Sequence, residues 1–101
     1  MDKAKAGLAL TNYFVVQGID CADGDETSPA ISYIDGEFEI SMPFADENDA
    51  NEFDTLYATR DASDAAWAVA KMAAHVMYGA EVSDEQIMSM LDAYYTSWAS
   101  V

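Results

Sequence analysis

The chain has 101 residues, 51% of them apolar, and its 19 Asp and Glu against four Lys and Arg give a formal net charge of -15. A chain of this length forms one core, so we expect residues 1–101 to fold as a single domain. Because like charges repel, the charge excludes direct binding to DNA, RNA or anionic membranes. No apolar run approaches the roughly 20 residues that cross a bilayer. The sequence therefore predicts a cytoplasmic protein, and its single cysteine, Cys21, agrees with a reducing compartment.

The first predicted strand is Tyr13–Val16, which is rich in aromatic and β-branched residues and is soon followed by Gly18. The preceding sequence, DKAKAGLAL, leaves a second interpretation open, in which a short helix begins there. A polar loop, GIDCADGDETSP, then leads through Pro29 into an extended segment.

The sequence AISYIDGEFEIS, Ala30 to Ser41, predicts a β-hairpin. Two alternating runs flank Asp35-Gly36, the preferred pair for a two-residue type I′ turn. With that turn, residues 33 and 38 lie opposite each other, and one face of the hairpin is apolar while the other is polar except for Ile34. The apolar face carries Ile31, Tyr33, Phe38 and Ile40, and the polar face carries Ser32, Glu37 and Glu39.

The segment after the hairpin fits two structures. Phe53, Leu56 and Tyr57 have the spacing of a helical turn, whereas Phe53, Thr55 and Tyr57 have the spacing of a fourth strand. Periodicity over so few residues does not decide between them, so both remain open.

Two helices are predicted at the C-terminal end, near Asp61–Tyr78 and Asp84–Ala99. The first is rich in alanine, begins with capping residues and ends at Gly79. The second begins with a capping box formed by Ser83 and Gln86 and has one apolar stripe. Its members are Ile87, Met90, Leu91, Tyr94 and Trp98. Strands followed by helices predict an α+β fold, in which two C-terminal helices cover a small antiparallel sheet of about three strands.

Residues that could carry chemistry are few. In DCADGDE an EF-hand register fails, because Gly24 at its position 6 puts Ile19, Cys21 and Ala30 at ligand positions. A looser cation site built from Asp20, Asp23 and Asp25 competes with a solvated acidic turn, which we favour. One cysteine and one histidine, His75, do not make a zinc site, and neither a nucleophile with its base nor a phosphate-binding glycine loop is recognisable. We therefore expect no enzyme activity, no cofactor and no bound metal.

The carboxylates are concentrated around the hairpin. Nine of them lie in the loops before and after it, and Glu37 and Glu39 extend the patch along its polar face. Alternate residues on a strand stand about 6.5 to 7 Å apart, which is close to the spacing of successive phosphates in nucleic acid. The predicted partner-binding residues are Asp20, Asp23, Asp25, Glu26, Glu37, Glu39, Asp46, Glu47, Asp49, Glu52 and Asp54.

In its size, its few cysteines and its acidic runs DCADGDE and ADENDANEFD, the chain resembles small inhibitors encoded by phages and mobile elements. These include anti-CRISPR and anti-restriction proteins, several of which are DNA mimics. The resemblance implies a non-enzymatic inhibitor that presents a nucleic-acid-like acidic surface to a basic nucleic-acid-binding host protein, such as a CRISPR effector complex. It implies no role for any single residue.

Two further interpretations stay open. The charge can instead serve solubility or adaptation to salt in a structural or interaction domain. Separately, the aromatic residues of the last helix cannot all face inward, so Tyr94, Tyr95 or Trp98 leaves an anchor for a partner or for a second copy in a homodimer.

Overall fold

A computed structural model of the chain describes residues 1–42 and 57–101. Its elements are α1 (Lys3–Gln17), β1 (Cys21–Ala22), β2 (Ala30–Ile34), β3 (Glu37–Ser41), β4 (Tyr57–Thr59), α2 (Ala62–Tyr78) and α3 (Asp84–Ala99). The strands form one antiparallel sheet in the order β1-β2-β3-β4. The fold is α+β, as the sequence predicts, with an additional helix at the start of the chain. Besides the hairpin, its strands are β1, which lies in the predicted polar loop, and β4. None of the described helices is long and apolar enough to cross a membrane.

The predicted hairpin is confirmed residue by residue. Asp35 and Gly36 have φ values of 53° and 77°, the two positive values that a type I′ turn requires. Tyr33 pairs with Phe38, and their rings stack with centroids 4.3 Å apart. Ile31, Phe38 and Ile40 are buried, so the predicted apolar face is the one that packs on the helices.

The predicted strand Tyr13–Val16 is wrong, because this segment is the last part of helix α1. Asp2 caps the helix by accepting a hydrogen bond from the backbone N–H of Ala4 at 2.9 Å. Its buried stripe consists of Ala6, Leu10 and Phe14, each at most 2% exposed and each four residues from the next. Burial at that helical period overrides the local β propensity of the aromatic and β-branched residues.

Helix α2 lies at the centre of the molecule and contacts β3, β4, α1 and α3. Small residues allow these close approaches: Ala65, Ala66, Ala70, Ala73 and Ala74 are all fully buried. At Gly7 of α1, an added Cβ atom would lie 2.6 Å from the Ala62 carbonyl carbon and the Ser63 backbone nitrogen. The two helices therefore meet backbone against backbone where α2 begins.

Both C-terminal helices begin as predicted. The Asp61 carboxylate accepts a hydrogen bond from the Ser63 N–H at 2.8 Å, so Asp61 is the N-cap of α2. In α3, Ser83 and Gln86 form both hydrogen bonds of the capping box. The predicted buried stripe of α3 is also present, with Ile87, Leu91 and Trp98 at 5% exposure or less.

For the segment after the hairpin, the structure shows a strand, β4, which pairs with β3 through Ile40 with Tyr57 and Phe38 with Thr59. Of the residues on which the two interpretations rested, Phe53, Thr55 and Leu56 lie outside the described residues. So do five of the predicted partner-binding residues, Asp46, Glu47, Asp49, Glu52 and Asp54.

Candidate functional site: an acidic sheet face

The strand register determines which residues lie on the side of the sheet that faces away from the helices. Cys21 pairs with Ser32, Ser32 with Glu39, and Glu39 with Ala58, so these four residues form one row across all four strands. Ile34 pairs with Glu37 in a neighbouring row. We call the surface made by the residues of these two rows the outer sheet face. Since side chains alternate along a strand, burial of the opposite face exposes this one.

Three predicted partner-binding residues come together here. Asp23 and Glu39 line one depression, together with Cys21 and Ser32. Glu37 and Glu39 line a second depression next to it, and Ser32 borders both. The structure therefore brings Asp23, Glu37 and Glu39 onto one continuous surface, although Asp23 precedes the hairpin and the other two lie within it.

Arg60 is the one cation beside this surface in the part of the chain that the structure describes. Its guanidinium Nη1 donates a hydrogen bond to the Asp35 carbonyl at 3.0 Å, and its Nε lies 3.9 Å from the Glu37 carboxylate. Both side chains are substantially exposed, so this ion pair is weak. Within residues 1–42 and 57–101, neither Asp23 nor Glu39 forms an ion pair. The outer sheet face therefore keeps most of its negative charge.

Asp25 lies in the turn of residues 25–28, away from the outer sheet face. Its carboxylate accepts hydrogen bonds from the Thr27 N–H and hydroxyl, both at 2.8 Å, and these hydrogen bonds lower its pKa. The same turn holds Ser28, whose hydroxyl lies 2.9 Å from the hydroxyl of Tyr94 on α3. Asp25 thus stabilises a turn that packs on the helices, and the structure does not place it on the outer sheet face.

The two remaining described acids of this loop are both exposed. Asp20 follows α1, and its backbone carbonyl accepts a hydrogen bond from the Tyr33 N–H at 2.8 Å. Glu26 lies in the turn of Asp25. The predicted surface is therefore divided between the outer sheet face and the loop that wraps from the sheet edge towards α3.

Charge is distributed unevenly along the chain. The described residues 18–42 and 57–60, which we call the sheet region, contain seven acids and one cation, a net charge of -6 over 29 residues. Residues 1–17 and 61–101, the helical region, contain seven acids and three lysines, a net charge of -4. Two of those lysines lie over aromatic rings, Lys3 at 4.2 Å from the Trp67 centroid and Lys5 at 5.3 Å from the Tyr95 centroid. Relative to its 58 residues, the helical region is therefore less acidic than the described sheet region.

Cys21 is poorly suited to nucleophilic chemistry. Partial burial raises the pKa of its thiol, and the charge of Asp23 raises it further, so the reactive thiolate is disfavoured at neutral pH. His75 is exposed on α2, in a depression lined by Trp67 and Lys71, away from the outer sheet face. Among the described residues no group of three His, Cys, Asp or Glu is arranged to hold a metal ion.

The aromatic residues of α3 are not presented as anchors, since Trp98 is buried and Tyr94 and Tyr95 are half-buried. Tyr94 stacks on Trp98 with centroids 5.4 Å apart and is tied to Ser28, and Tyr95 lies under Lys5. Burial raises the pKa of Tyr94. The hydrogen bond with Ser28 lowers this pKa, whereas the negative charge of Asp25 raises it further.

Sequence reasoning missed two features of the surface. Arg60 comes next to the hairpin turn only because β4 pairs with β3, and strand formation in that segment was undecided. The second feature is the exposed apolar face of α1, made by Leu8, Val15 and Val16. It was not recognised because Tyr13–Val16 was predicted to be a strand. The spacing of Ala6, Leu10 and Phe14 was the signal that could have revealed the helix.

Comparison of the chain with protein-family models, with curated proteins and with solved structures finds no match. What the protein does is therefore inferred from its own surface.

Proposed function

We propose that the protein is a non-enzymatic inhibitor that binds the basic groove of a nucleic-acid-binding host protein, such as a CRISPR effector complex, through its outer sheet face. In this proposal Asp23, Glu37 and Glu39 take positions that phosphates of DNA or RNA otherwise occupy. The observation that carries it is the clustering of these three carboxylates on one open face, with only Arg60 beside them among the described residues.

The distribution of charge supports this assignment over a purely solubilising role. A charge that serves only solubility has no reason to concentrate, and carboxylates placed close together repel one another. Here the described sheet region carries a net charge of -6 over 29 residues, and the helical region -4 over 58. A groove lined by Lys and Arg would offset this repulsion by attracting the carboxylates, and the long-range attraction would also speed association.

Competition with nucleic acid tests the proposal. The target effector is titrated with its labelled DNA or RNA in the presence of the wild-type protein or of the double variant Glu37→Lys/Glu39→Lys. The matched control is Glu81→Lys/Asp92→Lys, which changes the net charge equally but alters exposed residues of the helical region. We expect the wild type and the control to displace nucleic acid, and the sheet variant to lose displacement.

Salt dependence gives a second readout. Because the contact is steered by charge, raising the salt concentration should slow association more than it speeds dissociation. Equal inhibition by the two double variants would assign the acids to solubility instead. So would failure of the wild type to displace nucleic acid at any salt concentration.

A further inference from the structure

Helix α1 has apolar side chains on two opposite faces. The buried stripe faces the core, and the other face holds the three most exposed large apolar side chains among the described residues. These are Val15, Val16 and Leu8, at 69%, 64% and 63% exposure. A helix at the surface of a globular protein normally turns polar residues to solvent, and one that is apolar all round is normally covered on all sides. We call Leu8, Asn12, Val15 and Val16 the α1 face.

The α1 face continues into a groove against α3 with a volume of about 370 Å³. Its lining includes Lys5, Leu8, Asn12, Val16, Tyr95 and Ala99. No Asp or Glu is among the described residues that line it, although the chain has 19 of them. This part of the surface is therefore accessible to another strongly acidic molecule, which the outer sheet face would repel.

We propose that the α1 face is the contact between two copies of this chain, which pack α1 against α1 in antiparallel orientation about a twofold axis near Asn12. Leu8 and Val16 lie four residues on either side of Asn12, about 6 Å along the helix in each direction. An antiparallel pair centred there places Leu8 opposite Val16 of the second copy, and the symmetry makes each such contact twice.

Charge complementarity favours the second copy as the occupant. The last turn of α1 has no basic residue, and the exposed Asp20 follows the negatively polarised C-terminal end of the helix. In the antiparallel pair, Lys5 lies seven residues from Asn12 on one side of the axis. Gln17 at the end of α1 and Asp20 of the second copy lie five and eight residues from Asn12 on the other side, so Lys5 comes near both. The contact places cation against anion twice, within the less acidic region of a molecule whose net charge is -15.

The mass of the wild-type protein in solution, measured over a range of protein concentrations, tests the proposal. At roughly 1 M salt the Debye length is about 3 Å, so repulsion between the acidic copies is screened while apolar contact remains. We expect the mass to rise towards twice the 11.0 kDa of one chain as concentration increases.

Substitution of the α1 face provides the specific control. Leu8→Asp with Val16→Asp removes four apolar side chains from the twofold contact, and at about a factor of ten for each side chain the association should weaken by about 10,000-fold. Met77→Asp alters an equally exposed apolar residue outside the groove and should leave the dimer intact. Circular dichroism shows whether each variant keeps its fold.

A cysteine placed at the axis tests the geometry with a milder change. In a Cys21→Ser background, Asn12→Cys should form a disulfide-linked dimer on mild oxidation, since residue 12 meets its own copy. Ala93→Cys, exposed on the side of α3 that does not line the groove, should stay largely monomeric. A protein that is monomeric at all concentrations and salts, or cross-linking no faster at residue 12 than at residue 93, would overturn the proposal. Binding of a different protein by a chain that itself stays monomeric would also overturn it.

Discussion

The sheet region and the helical region present surfaces of opposite chemical character to solvent. In the sheet region, the outer sheet face carries the carboxylates of Glu37 and Glu39, and Ile34 is its one large exposed apolar side chain among the described residues. In the helical region, α1 presents Leu8, Val15 and Val16 to solvent and carries two of the four cations of the chain. One protein therefore has an acidic face on its sheet and an exposed apolar face on its first helix. The difference teaches that net charge alone describes neither surface.

The two regions should differ most in their response to loss of a large side chain. Trp98 is 5% exposed in the helical core, so Trp98→Ala should lower the free energy of unfolding by ~3 to 5 kcal/mol. Ile34, 54% exposed on the outer sheet face, is the comparison, and Ile34→Ala should change it by less than ~0.5 kcal/mol. Chemical denaturation measures both, and a loss below ~1 kcal/mol for Trp98→Ala would contradict its position in the core.

The close contact between α1 and α2 in the helical region can be tested by adding one methyl group at Gly7. A Cβ atom at Gly7 would lie 2.6 Å from backbone atoms of α2, which cannot move as a flexible side chain does. Gly7→Ala should therefore lower the free energy of unfolding by ~1 to 3 kcal/mol despite the better helix propensity of alanine. Gln17→Ala, at an exposed position of the same helix, is the control and should stay within ~0.5 kcal/mol. A stabilised Gly7→Ala variant would show that α1 and α2 are further apart.

One pair of hydroxyls ties the turn of residues 25–28 to α3. Tyr94→Phe removes the 2.9 Å hydrogen bond to Ser28 and should lower the free energy of unfolding by about 1 kcal/mol. Amide hydrogen exchange should become faster in the turn of residues 25–28. Tyr95→Phe tests the neighbouring ring, which lies under Lys5, and should leave that turn unchanged. Equal exchange in both variants would show that the loop is held by other contacts.

The smallest effect expected is a dependence on pH. Hydrogen bonds from Thr27 depress the pKa of Asp25 in the folded state below the usual value of an aspartate carboxyl group. Its contribution to stability is therefore present above that value and is lost as the pH falls through the depressed folded-state pKa. Asp25→Ala should weaken stability slightly at neutral pH and less in strong acid. NMR titration of the Asp25 carboxyl carbon checks the direction, and a pKa above the usual range would contradict it.

Local signals in the sequence determined the parts of this protein where one dominant interaction decides the structure. Asp35-Gly36 determines the hairpin and its register, because few other residues adopt two positive φ values. The caps at Asp61 and Ser83 likewise determine where α2 and α3 begin. Because register sets which face each side chain occupies, the sequence also placed Glu37 and Glu39 together on the polar face.

Tertiary structure decided what depends on contacts between distant segments. Tyr13–Val16 favours a strand locally, yet burial of Leu10 and Phe14 against the sheet and helices makes it helical. The grouping of Asp23 with Glu39 and the separation of Asp25 follow from β1 joining the sheet edge while the next turn packs on Tyr94. The exposed α1 face exists only because that helix buries its opposite side. In each case the deciding free energy comes from packing between residues far apart in the chain, which local propensity and spacing do not contain.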